Sequence, residues 1–298
     1  MTKEISNIFI IGVHRAATTS LFRYLSSHPQ INSAYKKELH YFTRGIYSGS
    51  YQFDPLEYRQ LYPVANGIKL EASPSYFYGG KALAQLMNES FIEPRFILIL
   101  RNPADRFLSF YRHFSSEIQP SKRISIDEFF SKSVQEHESK IIADNHVNRA
   151  IREGVYADYL EPWMQVGKQK LKIVYFEDIE LALQKSIEEV CNFLLLDPTH
   201  IDRSTLIVHN ESREIRNYQV NWLAKKVNRL LEHYFTKNLK LKSRIKKAYG
   251  QLNEKDFLTS IPDSIYDELN RYYLPHNKRL KDSLIHNSLS LPNWLEDL

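Results

Sequence analysis

Two short segments carry residue types whose spacing suits phosphate chemistry. The first, Gly12-Val13-His14-Arg15-Ala16-Ala17-Thr18-Thr19-Ser20-Leu21, follows the apolar run Ile8–Val13 and then takes on helical periodicity. A strand, a tight turn and a helix N-terminus make an anion site, because unpaired backbone N–H groups and the helix dipole point at one spot. Arg15, Ala16 and Ala17 form the turn, and Thr18, Thr19 and Ser20 add hydroxyl donors where the helix opens. The ATPase form of such a loop, G-x-x-x-x-G-K-[ST], needs a lysine for the β- and γ-phosphates. Ala17-Thr18-Thr19 stands there instead, so a nucleotide ligand is compatible and γ-phosphate transfer is not. Alone, the segment fits a ligand-free helix start equally well.

The second segment, Arg101-Asn102-Pro103-Ala104-Asp105-Arg106-Phe107-Leu108-Ser109-Phe110-Tyr111, is more specific. Arg101 stands where an apolar strand ends, and Ser109 lies two turns into the next helix. A guanidinium fork grips phosphate through two parallel bonds, and a serine hydroxyl completes the coordination. Two phosphate pockets one strand–helix unit apart suit a nucleotide phosphorylated at both ends of its ribose.

These residues need rigid elements behind them. The β-branched runs Ile8–Val13 and Phe96–Leu100 read as buried strands, with Ile173–Phe176, Asn32–Tyr35 and Lys69–Ala72 as further candidates. Helical patterns cover Thr19–Ser27, Pro103 to about His113, Tyr156–Val166, Leu181–Leu195, Val220–Phe235 and Ser264–Ser283. Strands alternating with helices predict an α/β fold, a central parallel sheet flanked by helices on both faces, with a helix-rich C-terminal third. No Pro/Gly/Ser-rich linker divides the 298 residues, so residues 1–298 read as one domain. With 43% hydrophobic and 25% charged residues, the composition excludes a disordered chain and a stapled mini-protein.

Together the segments resemble the PAPS-dependent sulfotransferases, especially the carbohydrate and heparan-sulfate-like branch and its bacterial relatives; PAPS is 3′-phosphoadenosine 5′-phosphosulfate. The Gly12–Leu21 loop is similar to the family's 5′-phosphosulfate loop, and Arg101–Tyr111 to its 3′-phosphate motif. Lys37-Glu38-Leu39-His40-Tyr41-Phe42, Glu71-Ala72-Ser73-Pro74-Ser75-Tyr76, Gly154-Val155-Tyr156 with Leu160 and Trp163, and Val174-Tyr175-Phe176-Glu177-Asp178 resemble further family blocks in order. So does the ending from Tyr273 to Trp294.

The resemblance implies a three-layer, P-loop-like α/β fold. It also implies in-line transfer of a sulfuryl group from PAPS to an acceptor hydroxyl or amine, with PAP (3′,5′-adenosine bisphosphate) as product and no metal. Glu38 matches the family's catalytic carboxylate, a general base whose task asks for a pKa raised towards neutrality. His40 orients it or touches the acceptor. Glu71 reads as structural or as a rival base. Arg213 and Arg216 stand where the family's late basic residues reach the 3′-phosphate, and surface salt bridges explain them equally well. Two residues depart from the pattern: Arg15 replaces the usual lysine, and Ala17 the usual glycine. Arginine keeps the charge but cannot give up a proton, and a positive φ at Ala17 would strain it. A non-catalytic relative that binds nucleotide or anionic glycan is therefore the alternative.

Other features fix partners more loosely. The chain has 40 Lys+Arg against 35 Asp+Glu, a net +5 that favours anionic partners without indicating nucleic acid. Lys237–Lys247 holds six basic residues and no acid, which suits peripheral contact with a polyanionic glycan or acidic membrane, or simply a solvated face. No apolar run approaches the roughly 18 residues of a spanning helix, and a cytoplasmic location is expected. Cys191 is the only cysteine, so no intrachain disulfide forms, and the 11 histidines show no metal-ligand spacing. The acceptor expected is a carbohydrate, glycolipid or other hydroxylated small molecule.

Overall fold

A computed structural model describes residues 6–43, 51–64, 66–139, 145–202, 213–215, 217–230, 245, 249–250, 253–256 and 262–298. The residues fall into two compact units interleaved along the chain. One comprises Met1–Arg106, Glu153–His209 and Arg271–Leu298; the other comprises Phe107–Arg152 and Asn210–Asn270.

The first unit is built on a parallel sheet of five strands: β1 (Asn7–Gly12), β2 (Ile31–Ser33), β3 (Ile68–Ala72), β4 (Arg95–Leu100) and β5 (Leu171–Tyr175), in the order β2-β3-β1-β4-β5. β1 and β4 are almost wholly buried, as expected for strands covered on both faces. After β1 the chain passes through α1 (Thr18–Ser26) to the β2–β3 side, whereas β4 and β5 lie on the other side. The crevice at the C-terminal ends of strands where crossovers diverge is where open α/β sheets bind ligands. The β1–β4 register shifts between Ile10 and Gly12, so β1 bends just before its loop. Gly12 is obligatory there: a Cβ would stand 2.9 Å from Phe77 Cβ and 3.0 Å from Leu98.

One helix expected from periodicity differs in detail. Leu181–Leu195 is divided: α8 (Phe176–Leu181) starts directly after β5, and α9 (Leu183–Phe193) follows a break at Ala182, φ −144° and ψ 59°. Phe176, read as strand, is thus the first residue of α8. The acidic pair Glu177-Asp178 favours a helix start there, since carboxylates suit the positive end of the dipole. Cys191 is buried on α9, and burial pushes its thiol up to about 11.

In the second unit, most of α4 (Pro103–Glu117, longer than expected) belongs with α5 (Ile126–Glu138), α6 (His146–Arg152), α10 (Tyr218–Leu230) and an antiparallel pair, β6 (Arg213–Ile215) with β7 (Glu254–Asp256). α5 is capped by the Ser125 hydroxyl, which accepts from Glu128 N at 3.1 Å. Phe107, Phe114, Phe129 and Phe130 form its aromatic core. Asn221 Nδ2 donates to Ser116 O at 2.8 Å. A final helix, α11 (Asp263–His286), contributes its last two-thirds to the first unit.

Candidate active site

The loop after β1 has two non-glycine residues in the left-handed region, Arg15 (φ 72°) and Ala17 (φ 57°). Ala17 occupies the N-cap of α1 and offers no side-chain cap, and no acidic residue stands in the first turn. The opening N–H groups of Thr18, Thr19 and Ser20 therefore present a positive end to which an anion can bind. Left-handed residues are characteristic of backbone turns that gather N–H groups around an anion. The strain expected at Ala17 is present: an L-residue in this region costs about 1–2 kcal/mol.

The carboxylate arm lies over the end of β3. Glu38 N donates to Ala72 O at 2.9 Å, and His40 N donates to Ser73 Oγ at 3.2 Å. Glu38 and His40 are also left-handed, φ 63° and 54°. Lys37 Nζ donates to Glu38 Oε1, while His40 Nε2 approaches Glu38 Oε2 at 3.5 Å. On the other ring edge, His40 Nδ1 lies 3.4 Å from both Thr43 Oγ1 and Ser75 Oγ. These contacts reverse the pKa expectation for Glu38. The hydrogen bond with His40 leads, Lys37 and His14 add their charge, and together they outweigh desolvation, holding the carboxyl at about 2.

Arg101 completes the constellation from the end of β4. Its Nη1 donates to Arg15 O at 3.0 Å, its guanidinium lies 4.1 Å over the Phe176 ring, and Nε is buried with no partner. Behind it, Asn102 Oδ1 accepts from Ala104 N at 2.9 Å to cap α4, and Pro103 takes the first helical position. Arg15 is exposed as a residue, yet its pKa is lowered, by desolvation first and then by the charges of Arg101 and Arg106, with Glu38 acting oppositely. The charges of Arg101 and Arg106 both act on Arg15, and positive charge gathered in this way stabilises an anion placed beside it. The structure thus brings together Arg15, Ala16, Ala17, Thr18, Thr19, Ser20, Glu38, His40 and Arg101. Ser109, buried on α4, and Arg213, which opens β6, belong to the second unit. The basic side chains of Lys237–Lys247 lie outside the described residues.

Residues 6–259 match the family model of the sulfotransferase domain. The chain belongs to the sulfotransferase family. Over 166 residues it is 31% identical to heparan sulfate glucosamine 3-O-sulfotransferase 3B1 of Mus musculus, covering 55% of this chain and 39% of that protein. It is 26% identical over 306 residues to the human bifunctional heparan sulfate N-deacetylase/N-sulfotransferase 3, covering 98% of this chain and 31% of that protein. The chain thus spans less than half the length of these relatives. In fold, it is similar to a sulfotransferase from Alicyclobacillus acidocaldarius, with a TM-score of 0.64 at 23% identity, covering 97% of this chain and 98% of that one.

Within this sulfotransferase domain, Glu71 is a structural residue. Its buried carboxylate accepts from Tyr58 OH at 2.5 Å, from Tyr76 OH, and from Ser73 Oγ at 3.0 Å, and burial raises its pKa. Sequence reasoning gave no role to three other residues. His14 Nδ1 lies 3.1 Å from Glu153 Oε2, and the same oxygen lies 3.8 Å from Arg106 Nη1, where both Arg106 and Glu153 are buried. The signal was half visible, since His14 adjoins Arg15, but its partner is 139 residues away. Among the described residues no group of three or more His, Cys, Asp or Glu could hold a metal ion, and no helix is long and apolar enough to cross a membrane.

Proposed function

We propose that the chain transfers a sulfuryl group from PAPS to a hydroxyl of a carbohydrate or similar acceptor, with PAP as product. The observation that carries this reading is the bond from the Arg101 guanidinium to the Arg15 carbonyl in the loop that opens the uncapped α1, where the charges of Arg101 and Glu38 both act on Arg15. A doubly phosphorylated nucleotide fits that set: the orphaned Arg101 Nε and the uncapped N–H groups are donors in search of acceptors. The heparan sulfate relatives favour a glycan acceptor. In this mechanism Arg15 and the loop N–H groups hold the phosphosulfate end, and Arg101 binds phosphate through its fork. Lys37 and His40 fix Glu38, which accepts the acceptor's proton.

A carboxylate with a pKa of about 2 is a weak base. Glu38 therefore takes the proton late, when bonding to sulfur has made the hydroxyl acidic. Positioning and charge supply the remaining catalysis.

Calorimetric titration with PAP, beside 5′-AMP and ADP and without metal, tests the donor site. Binding of PAP at least tenfold tighter than of 5′-AMP supports it. Equal or absent binding of all three rejects it.

A further inference from the structure

Resting on that reading, we propose that His14, oriented by Glu153, is the donor-side acid: its Nε2 meets the phosphate oxygen released when the sulfuryl group leaves. The ring is held on two sides. Nδ1 pairs with the buried Glu153 carboxylate at 3.1 Å, and its plane lies parallel to Tyr78, interplanar angle 3°, with centroids 6.1 Å apart. Tyr78 is itself tied to this corner, donating from its hydroxyl to Glu153 O at 2.9 Å. A carboxylate on Nδ1–H fixes the tautomer, makes Nε2 the proton-exchanging atom and stabilises the imidazolium. The same Glu153 oxygen faces Arg106 Nη1 at 3.8 Å, which pairs the buried carboxylate with a buried cation.

The assignment follows from what the loop must do. When the S–O bond to the 5′-phosphate breaks, its electron pair stays on that phosphate oxygen, while the new O–S bond forms to the acceptor and the acceptor's proton goes to Glu38. The phosphate then gains a charge and has a second pKa near 6. Arg15 can meet this charge but never protonate it. An imidazole is the side chain suited to exchange a proton with such an oxygen, and His14 supplies the loop's imidazole. It stands beside Arg15 in the chain and within the electrostatic reach of Glu38. The charged and titratable groups facing it are Glu153 and Arg106 below, Tyr78 alongside, Arg15 next in the chain and Glu38 across the site.

The test requires no acceptor. PAP binding is measured calorimetrically near pH 7 in buffers of different ionisation enthalpy, which counts protons taken up. A phosphate dianion at Nε2 draws a proton onto His14, so wild type takes up more protons than His14→Asn, which keeps a donor towards Glu153 but loses Nε2. The nucleotide 3′-AMP, lacking the 5′-phosphate, shows no such difference. Glu153→Gln reduces the uptake while leaving PAP affinity within about threefold, and it serves as the second variant should His14→Asn not fold. Equal uptake in wild type and both variants overturns the role of His14 with the donor site intact. Failure of wild type to bind PAP overturns both readings.

Discussion

Replacing Ala17 by glycine measures the strain in the loop between β1 and α1, with its neighbour as control. Ala16 and Ala17 are both buried, but only Ala17 is left-handed. Ala16→Gly loses a buried methyl, about 0.8 kcal/mol, and gains unfolded-chain freedom, about 0.4–1 kcal/mol, so it destabilises by roughly 1–2 kcal/mol. Ala17→Gly bears the same two losses but recovers the left-handed penalty of about 1–2 kcal/mol, leaving a net change near zero. The gap between the two substitutions, about 1–2 kcal/mol, is then the backbone strain itself. Urea unfolding of both variants, analysed with a common slope, measures it. PAP titration of Ala17→Gly shows whether the relaxed loop still presents its N–H groups; affinity equal to or above wild type is expected. If Ala17→Gly costs as much as Ala16→Gly, the loop is unstrained and the left-handed turn described for it is wrong.

Other substitutions separate the remaining roles. Glu38→Gln lowers transfer by about 100-fold or more while PAP affinity stays within a few-fold, read by turnover and calorimetry on one preparation; near-normal turnover removes Glu38 as base. Arg101→Ala weakens PAP by about tenfold or more, since a charged hydrogen bond to phosphate contributes roughly 1.5–3 kcal/mol, and unchanged affinity refutes the second phosphate pocket. Tyr76→Phe, which leaves Glu71 short of a donor, destabilises by about 1–3 kcal/mol in urea. Because burial raises Glu71's pKa, the folded state keeps that proton to higher pH than the unfolded chain. Its contribution to stability therefore falls as pH rises from the unfolded carboxyl range, about 4.3, through the raised folded value. Glu71→Gln flattens this slope; an unchanged pH profile contradicts it.

The sheet was legible because its strands are continuous apolar runs, and Asn102-Pro103 announces its own helix cap. The strand–turn–helix unit that opens the chain was legible because apolar strand, turn and hydroxyl-rich helix start are adjacent in the sequence. What escaped depended on contacts far apart in sequence. Glu38 carries no sign of its low pKa, which arises from how Lys37 and His40 fold back on it from a left-handed turn. Pairing of His14 with Glu153 requires the strand end and the segment before Gly154 to meet. The break at Ala182 had no glycine or proline to mark it, and periodicity ran straight across.

The first unit is sealed by its last segment. Tyr273 lies so close to Gly154 that a Cβ there would stand 2.5 Å from its hydroxyl, Tyr175 OH donates to Ser290 O at 2.5 Å, and Trp294 Nε1 donates to Glu177 Oε2 at 3.2 Å. Glu177 in turn accepts from the N–H of Asn102, next to Arg101. On the ribosome these clasps emerge long after the residues they hold, so Arg101 and Glu153 gain their supports only once the segment from Tyr273 to Trp294 has been made. A nascent chain stalled before Tyr273 carries every residue of the β1–α1 loop and still lacks the contacts that brace Arg101 and Glu153, so the first unit is completed by residues far from its opening strand.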